Sequence, residues 1–271
     1  MKHKKELYRF YDQVGKKYPE EEVVYKTLRG KLRKKFVCRQ LETFRGSLLD
    51  IGCNTAMYLN AYNRGNAFGV DLSPSVLLRV VPGKNVRLAV SDAEALCFRP
   101  CSFDHVLCSE VLEHCLAPRD VFSEIFCVLK SGGSALVTTP NYRHKRPVWI
   151  GLGTLKSYGV EDVCEKGYYH TAFQPRELEQ LAVNAGFTIM DSGTLEKEVK
   201  YAAKLPALFL ILAKSLNRIF HSDRFERASH RCFETLSLWI YHIVHYSGLE
   251  PLLLKLVSSG VRSYILVKAE K

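Results

Sequence analysis

From residue 47 onward, short apolar runs alternate with amphipathic stretches of helical period, and that alternation restricts the chain to a layered α/β fold. The runs cover residues 47–51, 67–71, 86–90, 103–108 and 134–139. Between them lie helical patterns. In residues 120–129 the apolar side chains Val121, Phe122, Ile125, Phe126 and Leu129 fall on one helix face. Strands separated by single helices make βαβ units, and right-handed crossovers place helices on both faces of a parallel sheet. The expected fold is α/β and doubly wound, with a mostly parallel, Rossmann-like sheet.

The ends of the chain add to this core. Residues 1–45 read as helical: Tyr8, Tyr11, Val14 and Tyr18 recur at helical spacing, as do Leu28, Leu32, Phe36 and Leu41. Residues 141–173 lack a clear period and read as a long loop with one short helix. Residues 174–185 return to a helix, with Pro175 in its first turn and Gly186 after its end. A strand at 187–193, an apolar helical segment at 198–257 and a final strand at 262–269 follow. The expected organisation is an N-terminal helical cap (1–45), a core (46–197), a helical insertion (198–258) and a last core strand (259–271).

The net charge of +11 suits phosphates, nucleic acid or anionic lipid as well as simple solubility. The basic run Arg29, Lys31, Arg33, Lys34 and Lys35 reads as a solvated helix face. Nine cysteines without a CxxC pair or zinc-site spacing imply free thiols in a reducing compartment. The N-terminal residues carry no signal-peptide pattern, which points to the cytoplasm. Neither 205–220 nor 236–257 supplies the roughly 20 uninterrupted apolar residues of a spanning helix.

The chemistry concentrates at strand ends. Leu48-Leu49-Asp50-Ile51 runs into Gly52-Cys53-Asn54-Thr55-Ala56, a turn of small residues before a helix, where backbone approaches a ligand closely. Gly52 suits positive φ, and Asn54 tolerates it. The second strand ends in Asp71, where an acid in a nucleotide-binding fold bonds ribose hydroxyls. An N-cap role before Ser73-Pro74 is its other reading. Asp92 follows the third strand, where it can accept from an exocyclic amine or serve as a turn residue. The fourth strand leads through Ser109 into Glu110-Val111-Leu112-Glu113-His114.

Taken in order, Leu-Leu-Asp-Ile-Gly-Cys, Gly-Val-Asp-Leu-Ser, Asp-Ala-Glu, Phe-Asp-His-Val, Glu-Val-Leu-Glu-His and Leu-Lys-Ser-Gly-Gly resemble the class I S-adenosylmethionine-dependent methyltransferase family. The resemblance is nearest to ubiquinone-type O-methyltransferases and small-molecule or sugar methyltransferases, and it covers residues 45–195. It implies S-adenosylmethionine as cofactor. The methionine part would lie on Asp50, Gly52 and the backbone around Asn54, the ribose on Asp71 and Leu72, and the adenine on Asp92 and Ala93. Ser109 and Glu110 would line the path to the acceptor. The family's usual Gly-x-Gly-x-Gly stands here as Gly52-x-Asn54-x-Ala56.

The resemblance further implies methyl transfer to a small-molecule or lipid-like acceptor, with oxygen as the expected target. Glu110, His114 and His170 are the catalytic candidates. Glu110 and Glu113 on one helix face with His114 would offer divalent-metal ligands, although simple helix capping is the plainer reading. The apolar segment 198–257 reads as a helical subdomain packed over the sheet, or, with its basic residues, as a lid over the acceptor or a peripheral contact with an anionic membrane. No Asn/Asp-Pro-Pro-Tyr-like motif marks a nucleic-acid acceptor. The alternatives are an inactive cofactor-binding protein of this fold and an NAD-type oxidoreductase.

Overall fold

The computed structural model describes residues 2–141, 149–161 and 168–271. Three helices come first: α1 (Lys2–Lys17), α2 (Glu20–Val23) and α3 (Leu28–Leu41). The side chain of Thr27 caps α3 by accepting from Gly30 N at 3.0 Å. The core then alternates β1 (Leu48–Ile51), α4 (Met57–Ala61), β2 (Ala67–Asp71), α5 (Pro74–Leu77), β3 (Val86–Val90), β4 (Phe103–Ser109), α6 (Pro118–Val128) and β5 (Leu129–Pro140). A ribbon of β6 (Trp149–Ile150) and β7 (Tyr168–Tyr169) follows, then α7 (Pro175–Asn184) and β8 (Phe187–Leu195). The helices α8 (Val199–Ala202), α9 (Lys204–Phe220), α10 (Asp223–Tyr246) and α11 (Glu250–Lys255) precede the last strand, β9 (Arg262–Ala269).

The main sheet has seven strands in the order β3-β2-β1-β4-β5-β9-β8. Strands β1 to β5 pair in parallel, and β9 runs antiparallel between β5 and β8. The doubly wound α/β fold is therefore present, with β9 as the reversed strand. All four residues of β1 are buried, as a strand covered on both faces requires. Helices pack on both sides. Val121, Phe122, Ile125 and Val128 of α6 bury against one face, and Val37 and Leu41 of α3 lie in the cluster on the other. Each such side chain contributes about 1.5–3 kcal/mol by leaving water. Strand order reverses at β1 and β4, so their carboxyl ends splay apart and leave the crevice in which ligands of such sheets bind.

Three local readings need correction. Residues 141–173 are more than a loop with one short helix. Residues 142–148 and 162–167 of that stretch lie outside the described residues, but β6 and β7 form a two-stranded ribbon around a 3-10 turn at Gly153–Tyr158. Two-residue strands are too short to show a period. Arg33 is not on a solvated face; it is buried beneath the sheet's crevice. The segment after β4 is not an α-helix either. Glu110 has φ +62, and only a 3-10 turn at Leu112–His114 follows. Glu110 and Glu113 therefore do not share a helix face.

Candidate active site

One cavity of about 520 Å³ opens at the carboxyl ends of β1, β2, β3 and β4. It gathers Asp50, Gly52, Asn54, Asp71, Leu72, Asp92, Ala93 and Ser109 with Glu110, Glu113, His114 and His170. The cavity has two parts of different chemistry.

The first part is acidic. Asp50, the penultimate residue of β1, is buried, and its Oδ2 has no hydrogen-bond partner among the described residues. Burial and then the neighbouring Asp71 push its carboxyl well above the usual range. Asp71 at the end of β2 accepts from the backbone N of Asn54 and of Ser73, each at 2.9 Å. Burial raises its pKa, and those hydrogen bonds offset part of the rise. Glu20, just after α1, also faces the cavity and accepts from the Asn54 side chain. Burial pushes Glu20 up to about 7 despite the nearby Arg33. Three carboxylates thus surround a space where a buried acid is costly unless a cation joins it.

Backbone geometry shapes the same part. Gly52 has φ +70, and a Cβ there would overlap the Val111 side chain. Asn54 and Ala56 also adopt positive φ, at 45° and 60°, in place of the glycines usual in this turn. Helix α1 covers the far end. Asp92 accepts from Tyr8 Oη and pairs with Lys4 Nζ, both at 2.7 Å. Burial would raise Asp92, but those two partners outweigh it and hold the carboxyl below its usual range. Asp12 ties α1 to the β2–α5 connection by accepting from Ser73 Oγ and Ser75 N, each at 2.9 Å. Tyr8, Tyr11, Val14 and Tyr18, the stripe visible in the sequence, line the cavity, and Tyr11 and Val14 also pack against the small cluster of Phe10, Leu152 and Val160.

The second part is aromatic. The His114 ring lies 5.2 Å from Tyr11 and 5.4 Å from His170, centroid to centroid. Tyr11 Oη is buried and has no hydrogen-bond partner among the described residues. Phe10 and Tyr168 stack at 5.2 Å, and Leu152 and Leu155 close the wall. Burial, with His170 beside it, pulls His114 down to about 4, so it is neutral near pH 7. Burial also lowers His170.

Glu110 sits at the floor between these parts. Its Oε2 forms ion pairs with Arg33 Nη1 at 2.7 Å and Arg262 Nε at 2.8 Å, and Thr138 Oγ1 donates to Oε1 at 3.2 Å. Burial pushes Glu110 up, but Arg262 and Arg33 outweigh it and keep it ionised. Glu113 is raised by burial and then by the Glu110 charge. No group of three His, Cys, Asp or Glu side chains among the described residues is placed to hold a metal ion. Glu110 faces guanidinium groups, and His114 Nε2 lies 4.0 Å from Glu113 Oε1. Glu20, Arg33 and Arg262 were not legible as site residues. Each is a charged side chain whose partner is remote in sequence.

The strand order and the acid-lined cleft define the class: an α/β protein with an acidic cavity at its switch point. A family profile described as "Methyltransferase domain" matches residues 49–137. The ubiquinone biosynthesis O-methyltransferase of Xanthomonas euvesicatoria pv. vesicatoria (strain 85-10) is 29% identical over 185 residues, spanning 64% of this chain and 76% of that protein. Two solved structures share the fold. Phosphoethanolamine N-methyltransferase 2 of Haemonchus contortus, in complex with S-adenosyl-L-methionine, has a TM-score of 0.56 at 18% identity, over 97% of this chain and 57% of that one. An S-adenosylmethionine dependent methyltransferase from Mesorhizobium loti has a TM-score of 0.52 at 15% identity, over 86% of this chain and 95% of that one. The chain thus carries a methyltransferase domain and is similar to the class I S-adenosylmethionine-dependent methyltransferases.

Proposed function

We propose that this chain methylates an oxygen of a small, apolar or lipid-like acceptor held in the aromatic part of the cavity. The observation that carries this reading is the junction of an acid-lined space with a neutral histidine in one cavity. S-adenosylmethionine, when bound, supplies an electrophilic methyl group on a cationic sulfur. Asp50 is the natural partner of its positive charge, since its buried Oδ2 is unpaired. Asp71 would hold the ribose with Leu72 beside it, and Asp92 and Ala93 the adenine end. The same acids disfavour the pyrophosphate of a dinucleotide, which argues against an NAD-type oxidoreductase.

The residues around the acceptor mostly orient it and exclude water. Tyr11, Tyr168, Leu152 and Leu155 suit a flat or prenylated ring. His114 Nδ1 lies 3.5 Å from the carbonyl O of Tyr169, which favours the tautomer with its proton on Nδ1. Nε2 then keeps a lone pair and can take the proton of an acceptor hydroxyl as its oxygen attacks. Glu110, held by two arginines, is a poor base and serves to position the floor. The homologue's name supports a phenolic acceptor of the ubiquinone-precursor kind.

The test is transfer from labelled S-adenosylmethionine to a prenylated catechol. His114→Asn should lower kcat by about 10²–10⁴-fold, the range of general-base loss, with cofactor affinity unchanged. Because His114 titrates near 4, kcat/KM should show no ionisation near 6.5 on its acid side. An unaltered kcat in the variant would remove His114 as the base.

A further inference from the structure

The hairpin of α9 and α10 turns its large apolar side chains outward. Helix α9 buries only Pro206 and Ala213 and leaves Leu205, Leu208, Leu212, Leu216 and Ile219 exposed. In α10 the buried stripe is Ser229, Phe233 and Ser237, while Leu236, Trp239, Ile243 and Tyr246 form an exposed stripe at helical spacing. Ile219 is 72% exposed and Tyr246 81%. Leu252 and Leu256 of α11 extend the surface. Water-facing helices normally show the opposite pattern, with small or polar residues outward. An apolar surface on this scale marks an interaction site.

Charge identifies the occupant. Lys204, Lys214, Arg218, Arg224, Arg231 and Lys255 are exposed on these three helices, and Asp223 is their one exposed acid among the described residues. Apolar side chains with Trp and Tyr among them and a cationic surround match the headgroup region of an anionic bilayer. A protein partner would need no such uniform sign. No helix among the described residues is long and apolar enough to cross a membrane, so the hairpin would lie in the interface. It also meets the cavity wall. Arg227 of α10 donates to the carbonyl O of Ser157 and lies 5.9 Å from the Tyr158 ring, in the 3-10 turn that supplies Gly153 and Leu155 to the cavity.

We propose that α9, α10 and α11 form a monotopic docking surface for anionic phospholipid membranes. Docking there holds the cavity wall against the bilayer, within reach of an acceptor dissolved in it. The docking step stands on the helices alone and holds whichever acceptor the cavity takes.

Sedimentation with vesicles tests it, comparing phosphatidylcholine alone with phosphatidylcholine mixed with phosphatidylglycerol. The full chain should bind the anionic vesicles and prefer them to the neutral ones, with binding weakened by added salt. The triple variant Leu212→Glu, Leu216→Glu and Ile219→Glu should bind at least about tenfold more weakly, since it sets three anions on the apolar face. Unchanged S-adenosylhomocysteine binding by that variant shows that it is folded. Absence of vesicle binding by the wild type, or equal binding by the variant, would overturn the proposal. So would self-association that the variant abolishes without any vesicle binding, which would assign the face to a second copy of the chain.

Discussion

Replacing Gly52 with alanine is expected to abolish S-adenosylhomocysteine binding and to destabilise the fold by about 3 kcal/mol. Two costs add. The residue sits at φ +70, where an L side chain costs about 1–2 kcal/mol. The new Cβ also meets Val111, and overpacking of this kind costs about 1–3 kcal/mol. A loss of this size lowers Tm by about 6–12 °C in a chain of this length. Val111 leads into the turn that carries Glu113 and His114, so relief of the overlap displaces both parts of the cavity. Thermal melting read beside calorimetric binding checks this. A variant with wild-type Tm and affinity would show that the turn has more room than its backbone displays.

The second large effect concerns Glu110. Glu110→Ala removes the acid paired with Arg33 Nη1 and, among the described residues, leaves Arg262 with Glu196 at 3.7 Å. Breaking a buried pair from one side costs about 3–5 kcal/mol, because the remaining charges keep their desolvation penalty. Arg33 comes from α3, Glu110 from the end of β4 and Arg262 from the start of β9, so the cluster fastens the N-terminal helices to the sheet. Urea denaturation should show the full loss, and activity should fall with the folded fraction. A loss below about 1 kcal/mol would mean that water reaches both guanidinium groups.

The sheet was legible in the sequence because its signals are local. The runs at 67–71 and 86–90 coincide with β2 and β3, and 262–269 with β9. Pro175 and Gly186 bracket α7 as their backbone preferences dictate. The acids at the ends of β1, β2 and β3 could be placed because strand ends in this topology meet at one crevice. The rest depended on contacts remote in sequence. Arg33 looks like one member of a basic run, and only the fold supplies Glu110. Glu110 adopts positive φ, a conformation that non-glycine residues rarely signal in sequence, so the apparent helix at 110–114 could not be rejected beforehand. The tyrosines of α1 have the spacing of a core stripe, and nothing local says that the space they face is a cavity. In α9 the period was correct, but periodicity does not say which side of a helix faces water.

The central claim is that the acid-lined part of the cavity receives a cationic nucleoside. Calorimetric titration of the purified chain with S-adenosylhomocysteine, S-adenosylmethionine and NAD tests it most directly. Both sulfur nucleosides should bind at micromolar levels, about −8 kcal/mol, and NAD should not. Glu20, near 7 in the free protein, should lose its proton beside the sulfonium. S-adenosylmethionine should then bind up to about tenfold more tightly at pH 8 than at pH 6, because proton release favours the complex at higher pH. Saturable binding of NAD, or no binding of either sulfur nucleoside, would contradict the account.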